Sequence, residues 1–299
     1  MREPLPAKHP DHSAVKRCTC LFDGGTRLIS PTPAEPTARK DRPWIILAGL
    51  AFLAVLIAWL GFTPAGFWGK LHALGYAVCH QIEARSYCIH GICSPLCARC
   101  TGMYLGTILS LGTQAFHGRK AKFPPVWVSA VLVLLFGWFG VDGLNSFVHF
   151  FPNFSGIYEP TNLFRLITGM GVGLGIGSVL YVLFNGTAWS NWVDESVYQK
   201  WYVFPLLLAL SALLVVLIQT NHPLVIYPVM VVSGLGVFLV LSSVYTVVAL
   251  MILKRENAQL HWRELLLPIL MGMAIALLQV LLTSWLRLAL TGTWEPINL

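Results

Sequence analysis

A chain of 299 residues with 56% hydrophobic and 11% charged residues is too apolar for a soluble globular domain, which carries about 25% charged residues. Its formal charge of +7 does not mark nucleic-acid binding, because the bases fall between hydrophobic runs rather than on a soluble domain with interleaved aromatics. The composition instead predicts an all-α polytopic membrane helix bundle whose first partner is the lipid bilayer, with the bases serving as topology signals and contacts for anionic lipid.

Residues 1–42 are rich in proline and charge and have no hydrophobic period, so they are expected to form a disordered basic cytoplasmic tail. Within it, Cys18-Thr19-Cys20 has the wrong spacing for a chelating knuckle, and His9 and His12 read as solvated residues. About seven apolar spans follow, at 43–62, 101–116, 125–145, 163–185, 202–220, 223–252 and 264–290, each near the ~20 residues that cross the hydrocarbon core. The second is short, and the sixth is long enough to tilt or to kink at Pro228. Residues 43–185 are read as a four-helix membrane module and 186–299 as a three-helix bundle. Between the first two spans, residues 65–81 pattern as an amphipathic helix lying along the interface.

Lysine and arginine set the orientation. They crowd the tail and recur as Arg119, Lys120 and Lys122, and again as Lys254, Arg255 and Arg263; the connection after the fourth span is weaker, with Lys200 against Asp194 and Glu195. The N-terminus is therefore expected inside and the C-terminus outside. That places the connection from Cys79 to Cys100 at the outer face. The third span ends outward at Asp142 and Asn145, the fourth begins with Arg165, and the seventh emerges near Arg287. A carboxylate and a guanidinium at one membrane depth pair or face a polar cavity, since each alone in hydrocarbon is costly. Asp142 and Arg165 are the expected pair.

Five of the seven cysteines crowd into residues 79–100, which points to one local site. Cys97-x-x-Cys100 brings two sulfurs to one tetrahedral ion, and Cys79 with His80 completes a three-Cys, one-His set suited to zinc. Adjacent ligands are awkward on a helix, because neighbours diverge by ~100°, so one of Cys79 and His80 is expected to bind while the other faces a partner or a substrate. Arg99 and a helix N-terminus favour thiolate at Cys97 and Cys100. If the site is catalytic, the metal activates water, Asp142 is the candidate base, and Arg85, Arg99 and Arg165 receive an anionic or lipid-linked head group for hydrolysis or group transfer. Two alternatives stand beside this reading. One is a membrane thiol–disulfide oxidoreductase using Cys97 and Cys100. The other is a non-enzymatic structural or transport protein in which a metal or a disulfide staples the loop. Transport needs a polar path, and the spans offer only Gln279 and scattered Ser and Thr below the outer leaflet. Gly169-x-x-x-Gly173-x-x-x-Gly177 and Gly102-x-x-x-Gly106 read as helix-packing faces.

Taken together, Cys79-His80-Gln81, Arg85-Ser86, Pro95-Leu96-Cys97-Ala98-Arg99-Cys100-Thr101-Gly102-Met103-Tyr104-x-Gly106, Asp142-Gly143 and Arg165-x-x-Thr168-Gly169 resemble the signature of a prokaryotic membrane protein family, domain of unknown function 2085. The resemblance covers about residues 70–180 and implies a place in a prokaryotic plasma membrane. It marks Cys79, His80, Arg85, Cys97, Arg99, Cys100, Asp142 and Arg165 as the family's polar set. Cys88 and Cys93 stand outside that signature, which counts against a four-cysteine shuttle. No activity follows from the resemblance.

Overall fold

The computed structural model describes residues 41–149, 151 and 156–295. The expected tail, with Cys18, Cys20, His9 and His12, lies outside the described residues apart from its last two positions. Helices α1 (Arg42–Phe62), α2 (Gly66–Tyr76), α3 (Ala98–Ala115), α4 (Val126–Val148), α5 (Asn162–Ala188), α6 (Val203–Gln219), α7 (Pro223–Ile252) and α8 (Leu266–Thr291) make up most of the described chain. The amphipathic segment at 65–81 is helical only as far as Tyr76.

Between α2 and α3 the chain departs from an all-helical reading. Antiparallel strands β1 (Ser86–Ile89) and β2 (Ile92–Cys97) pair in a hairpin, with Cys88 opposite Cys93 and a disulfide joining them. His90 and Gly91 at its tip both have positive φ, 48° and 77°, the backbone twist that suits a two-residue hairpin turn.

Among the described residues, five helical segments are long and apolar enough to cross a bilayer: α1, α4, α5, α7, and α8 with the 3-10 turn that leads into it. Hydrophobic runs alone give about seven. The two that fall short do so for different reasons. α6 has 17 residues, and α3 carries Arg99, Thr101, Thr107, Ser110, Thr113 and Gln114. Those side chains are tolerated because α3 packs against α5, α6 and α7, and Thr101, Thr107, Ser110 and Gln114 are buried there. α1 and α4 show the reverse arrangement. α1 buries only Ala48 and Trp59, and α4 buries Val128, Asp142, Asn145 and Ser146. Apolar surface outward and polar groups inward is what a hydrocarbon solvent selects.

α3 and α5 approach each other closely, and glycines make the approach. A Cβ added at Gly169 would lie 2.0 Å from the carbonyl oxygen of Arg99, and one at Gly106 would lie 2.4 Å from that of Met170. Backbones this close exclude any side chain and fix the rotation of both helices. Further along the same pair, Gln114 donates to Ser110, which meets Ser178 at 3.2 Å, and Ser178 meets the Tyr198 hydroxyl at 2.7 Å. This buried cluster goes beyond the scattered hydroxyls read from the sequence, and the glycine-packed stretch separates it from the thiols.

Candidate metal centre

The site is built on the turn that ends α2. The N–H groups of Val78 and Cys79 both donate to the Gly75 carbonyl, at 3.0 and 2.8 Å. Gln81 then takes φ 57° and folds the chain back. Its Nε2 donates to the carbonyls of His72 at 2.9 Å and Pro95 at 2.8 Å, tying α2, the Cys79 turn and β2 into one unit. Gln81 is itself buried.

Cys79 is buried in that turn, and two backbone N–H groups point at its sulfur, from Gln81 at 3.4 Å and from Cys97 at 3.3 Å. The Cys100 thiol and the Cys97 N–H act to lower the Cys79 pKa, but its hydrogen bond with the Cys97 side chain and its burial outweigh them and push the thiol up to about 11. Cys97 ends β2 and stands at the N-cap of α3, with Cys100 in the first turn. All three cysteines are free, and their Sγ atoms lie within 4.8 Å of one another. Zinc–sulfur bonds of about 2.3 Å place tetrahedral ligands roughly 3.8 Å apart, so small side-chain movements would close the set on an ion. Hydrogen bonds with Cys100 and Cys79 hold the Cys97 thiol well below its ordinary range, although burial acts against this. A second candidate group, Glu83 with Cys88 and Cys93, offers no thiolates because its cysteines are joined in the disulfide.

A cavity of about 160 Å³ opens beside the three thiols, and His80, Arg85, Arg99 and Arg165 share its wall. His80 is exposed and lies outside the thiol group. The divergence of adjacent side chains accounts for this: with Cys79 turned inward, its neighbour faces away.

Asp142 sits behind Arg99, fully buried. Nε of Arg99 donates to its Oδ2 at 3.1 Å, and Nη2 makes a closer contact to the same oxygen. The Tyr158 hydroxyl donates to Oδ1 at 2.8 Å and Thr168 to Oδ2 at 3.3 Å. Arg99 Nη2 also reaches the Ser146 hydroxyl at 2.9 Å. The partner of Asp142 is thus Arg99 of α3, not the expected Arg165. Arg165 bonds Asn162 Oδ1 at 3.0 Å through Nη1, and its buried Nε has no hydrogen-bond partner.

Arg287 is the residue that sequence reasoning left without a role. Its Nη1 donates to the carbonyls of Tyr76, at 2.9 Å, and Cys79, its Nη2 to that of His80 at 3.1 Å, and its guanidinium lies 3.8 Å over the Tyr76 ring. A single arginine in the last turns of an apolar span was the available signal, because intramembrane charge is rarely idle.

A profile of the family described as "Predicted membrane protein (DUF2085)" matches residues 79–179. An uncharacterized protein of Methanocaldococcus jannaschii is 33% identical over 138 residues, covering 44% of this chain and 80% of the relative. An uncharacterized protein of Methanothermobacter thermautotrophicus is 30% identical over 106 residues, covering 36% of this chain and 86% of the relative. No solved structure matches the chain. The profile match begins at Cys79, takes in Cys97, Cys100, Asp142 and Arg165, and stops well before Arg287.

Proposed function

We propose that this chain, which belongs to the DUF2085 family of predicted membrane proteins, is an integral membrane protein that holds a metal ion on Cys79, Cys97 and Cys100. The observation that carries the reading is the convergence of three free thiols from two separate segments, with backbone N–H groups already directed at one of them. Three thiolates suit a soft or borderline cation and favour zinc. They leave one coordination position facing the cavity, where the ion would supply a polarised water or a Lewis-acid contact. His80 shares the cavity wall but lies outside the thiol group, so the ion is assigned to the three cysteines alone. Arg85 and Arg165 line the cavity for an anionic group arriving at the membrane surface, for hydrolysis or group transfer. Asp142 is saturated by Arg99, Tyr158 and Thr168, so its part is to hold Arg99 at the cavity wall rather than to act as a base.

The reading includes seven crossings with the thiols on the outer side. Contacts at the two ends of the helices support it. At one end Asp41 pairs with Arg255, Lys120 with Glu195, Arg119 reaches the Leu260 carbonyl, and Asn257 N–H reaches Thr187. At the other, Lys70 bonds Thr63, Gln219 bonds Tyr87, Arg99 bonds Asp142 and Arg287 bonds the Cys79 turn. These contacts support a reading in which α1 and α3 to α8 each run from one end to the other. Arg119, Lys120, Lys122, Lys254, Arg255 and Arg263 collect at the first end, the mark of a cytoplasmic face, and the Cys88–Cys93 disulfide at the second, which suits an oxidising compartment.

Metal analysis of protein purified under reducing conditions tests the proposal. One metal per chain, lost in Cys97→Ser and Cys79→Ser, is the expected result. A metal-free protein whose Cys97 and Cys100 cycle between dithiol and disulfide overturns it in favour of thiol–disulfide exchange.

A further inference from the structure

We infer that the cavity beside the thiols is the seat of a phosphate group, held by Arg165 and Arg85. The inference deepens the metal-centre reading and takes its third anchor from it, while the two arginines are independent of the metal.

Arg165 is the starting point. It is 7% exposed, it lines the cavity, and its buried Nε donates to nothing. Its hydrogen bond through Nη1 goes to a neutral amide, Asn162. Among the described residues no carboxylate is paired with it. The nearest candidate, Asp142, is committed to Arg99 and two hydroxyls. A buried guanidinium with no carboxylate paired to it is costly, and an anion in the cavity would offset its charge. Arg85 enters the same cavity from the 3-10 turn at Glu83–Arg85. Burial, and after it the charge of Arg99, pulls the Arg85 guanidinium below its ordinary range, with the charge of Cys97 acting the other way.

Geometry selects the class of anion. The anchors come from α5, from the turn before β1, and from the open position beside the thiols, so they approach from different sides. A carboxylate offers two oxygens in one plane and is satisfied by one guanidinium fork. A phosphate offers a tetrahedral fan of oxygens that several anchors share. The cavity, at about 160 Å³, admits a phosphate and a short stub of ester. It has no room for a sugar or a base, so the remainder of a phosphate ester would stay outside.

The test uses the full chain in detergent, with metal content measured on the same sample. Calorimetric titrations are run with inorganic phosphate, with dihexanoyl phosphatidic acid, and with dihexanoylglycerol as the phosphate-free control. Saturable binding of inorganic phosphate, weakened about tenfold or more by Arg165→Gln, supports a seat for free phosphate. Binding of phosphatidic acid alone, with the same dependence on Arg165 and none for dihexanoylglycerol, supports a lipid phosphate. Should Arg165→Gln lose the folded protein, Arg165→Lys and Arg85→Gln carry the same expectation, since the first keeps the charge without the fork and the second lies outside the helices. No phosphate-specific binding, or binding equal in all variants, in a sample holding one metal per chain overturns the seat and leaves the metal centre standing. Arg165-dependent binding in a sample that holds no metal upholds the seat and removes the metal centre.

Discussion

Arg287 of α8 donates its guanidinium to the carbonyl oxygen of Cys79, 208 positions earlier in the chain. With its bonds to Tyr76 and His80 and its stacking on the Tyr76 ring, it grips the turn that presents the first thiol. The Tyr76 hydroxyl returns the contact by donating to the Thr293 carbonyl at 2.7 Å. A helix beyond the family match thus holds a loop inside it. Hydrogen bonds from a charged donor are each worth roughly 1.5–3 kcal/mol, and the loop must be ordered before it binds. Arg287→Gln is expected to weaken metal binding about tenfold or more, read by competition with a chromophoric chelator, while elution volume and helix content stay unchanged. Arg287→Lys should recover only part, lacking the planar fork and the stacking surface. Equal affinity in all three proteins would show that the turn orders itself.

The pairing of Arg99 with Asp142 leads to a second expectation. Removing one member of a buried ion pair strands the other, at a cost of about 3–5 kcal/mol. Because the Arg99 side chain is 20% exposed, solvent screening places Asp142→Asn at about 3 kcal/mol or below. Thermal denaturation in detergent should show the loss with metal still bound. Asp142→Asn combined with Arg99→Gln should be milder than the sum of the two, whereas the combination with Arg165→Gln should be closer to additive. If the coupling lies with Arg165 instead, the arrangement around Asp142 is not the one described.

These residues also show how far sequence carries. Matching membrane depth brought Asp142, Arg165 and the thiols to one end of the bundle, because topology fixes depth. Depth does not fix rotation about a helix axis, so it could not choose between two guanidiniums at the same level. Arg99 wins because Gly169 and Gly106 let α3 and α5 approach until Arg99 reaches across to α4. The hairpin was hidden for another reason. Ser86–Ile89 and Ile92–Cys97 are short, and their Tyr and Ile signal is diluted by cysteines that invite a reading as ligands. α3 is less apolar than the other spans because its polar face points at other helices rather than at lipid. His80 looked like a ligand by type, and only the turn at Gln81 decides that Cys79 faces inward and His80 does not.

The disulfide gives an expectation about sidedness. Cys88 is exposed and bonded to Cys93 across the hairpin, and the pair shares no atom with the three-thiol group. A loop closed over so few residues is worth only about 2 kcal/mol. The double change Cys88→Ala and Cys93→Ala should therefore leave a folded protein that keeps its metal. In intact cells a membrane-impermeant maleimide should label Cys88 after mild reduction and not before. Labelling that requires permeabilised cells would put the thiol end in the cytoplasm and invert the proposed orientation.

The glycine contact between α3 and α5 yields the last expectation, and it separates packing from helix propensity. Gly169 and Gly175 lie on the same helix, and replacing either by alanine raises helix propensity by up to about 1 kcal/mol. A Cβ at Gly175 meets nothing within 4 Å, whereas one at Gly169 would lie 2.0 Å from the carbonyl oxygen of Arg99. Gly175→Ala should therefore be neutral or slightly stabilising in a detergent melt. Gly169→Ala should destabilise by about 1–3 kcal/mol, the usual cost of overpacking, in spite of its better propensity. The displaced backbone is that of Arg99, one residue from Cys100, so the shift reaches the thiols as well. Gly169→Ala should lose metal affinity and Gly175→Ala should keep it. Equal melting temperatures and equal affinities in the two variants would mean that α3 and α5 do not meet at Gly169, and the head of α3 would then have no fixed place in the site.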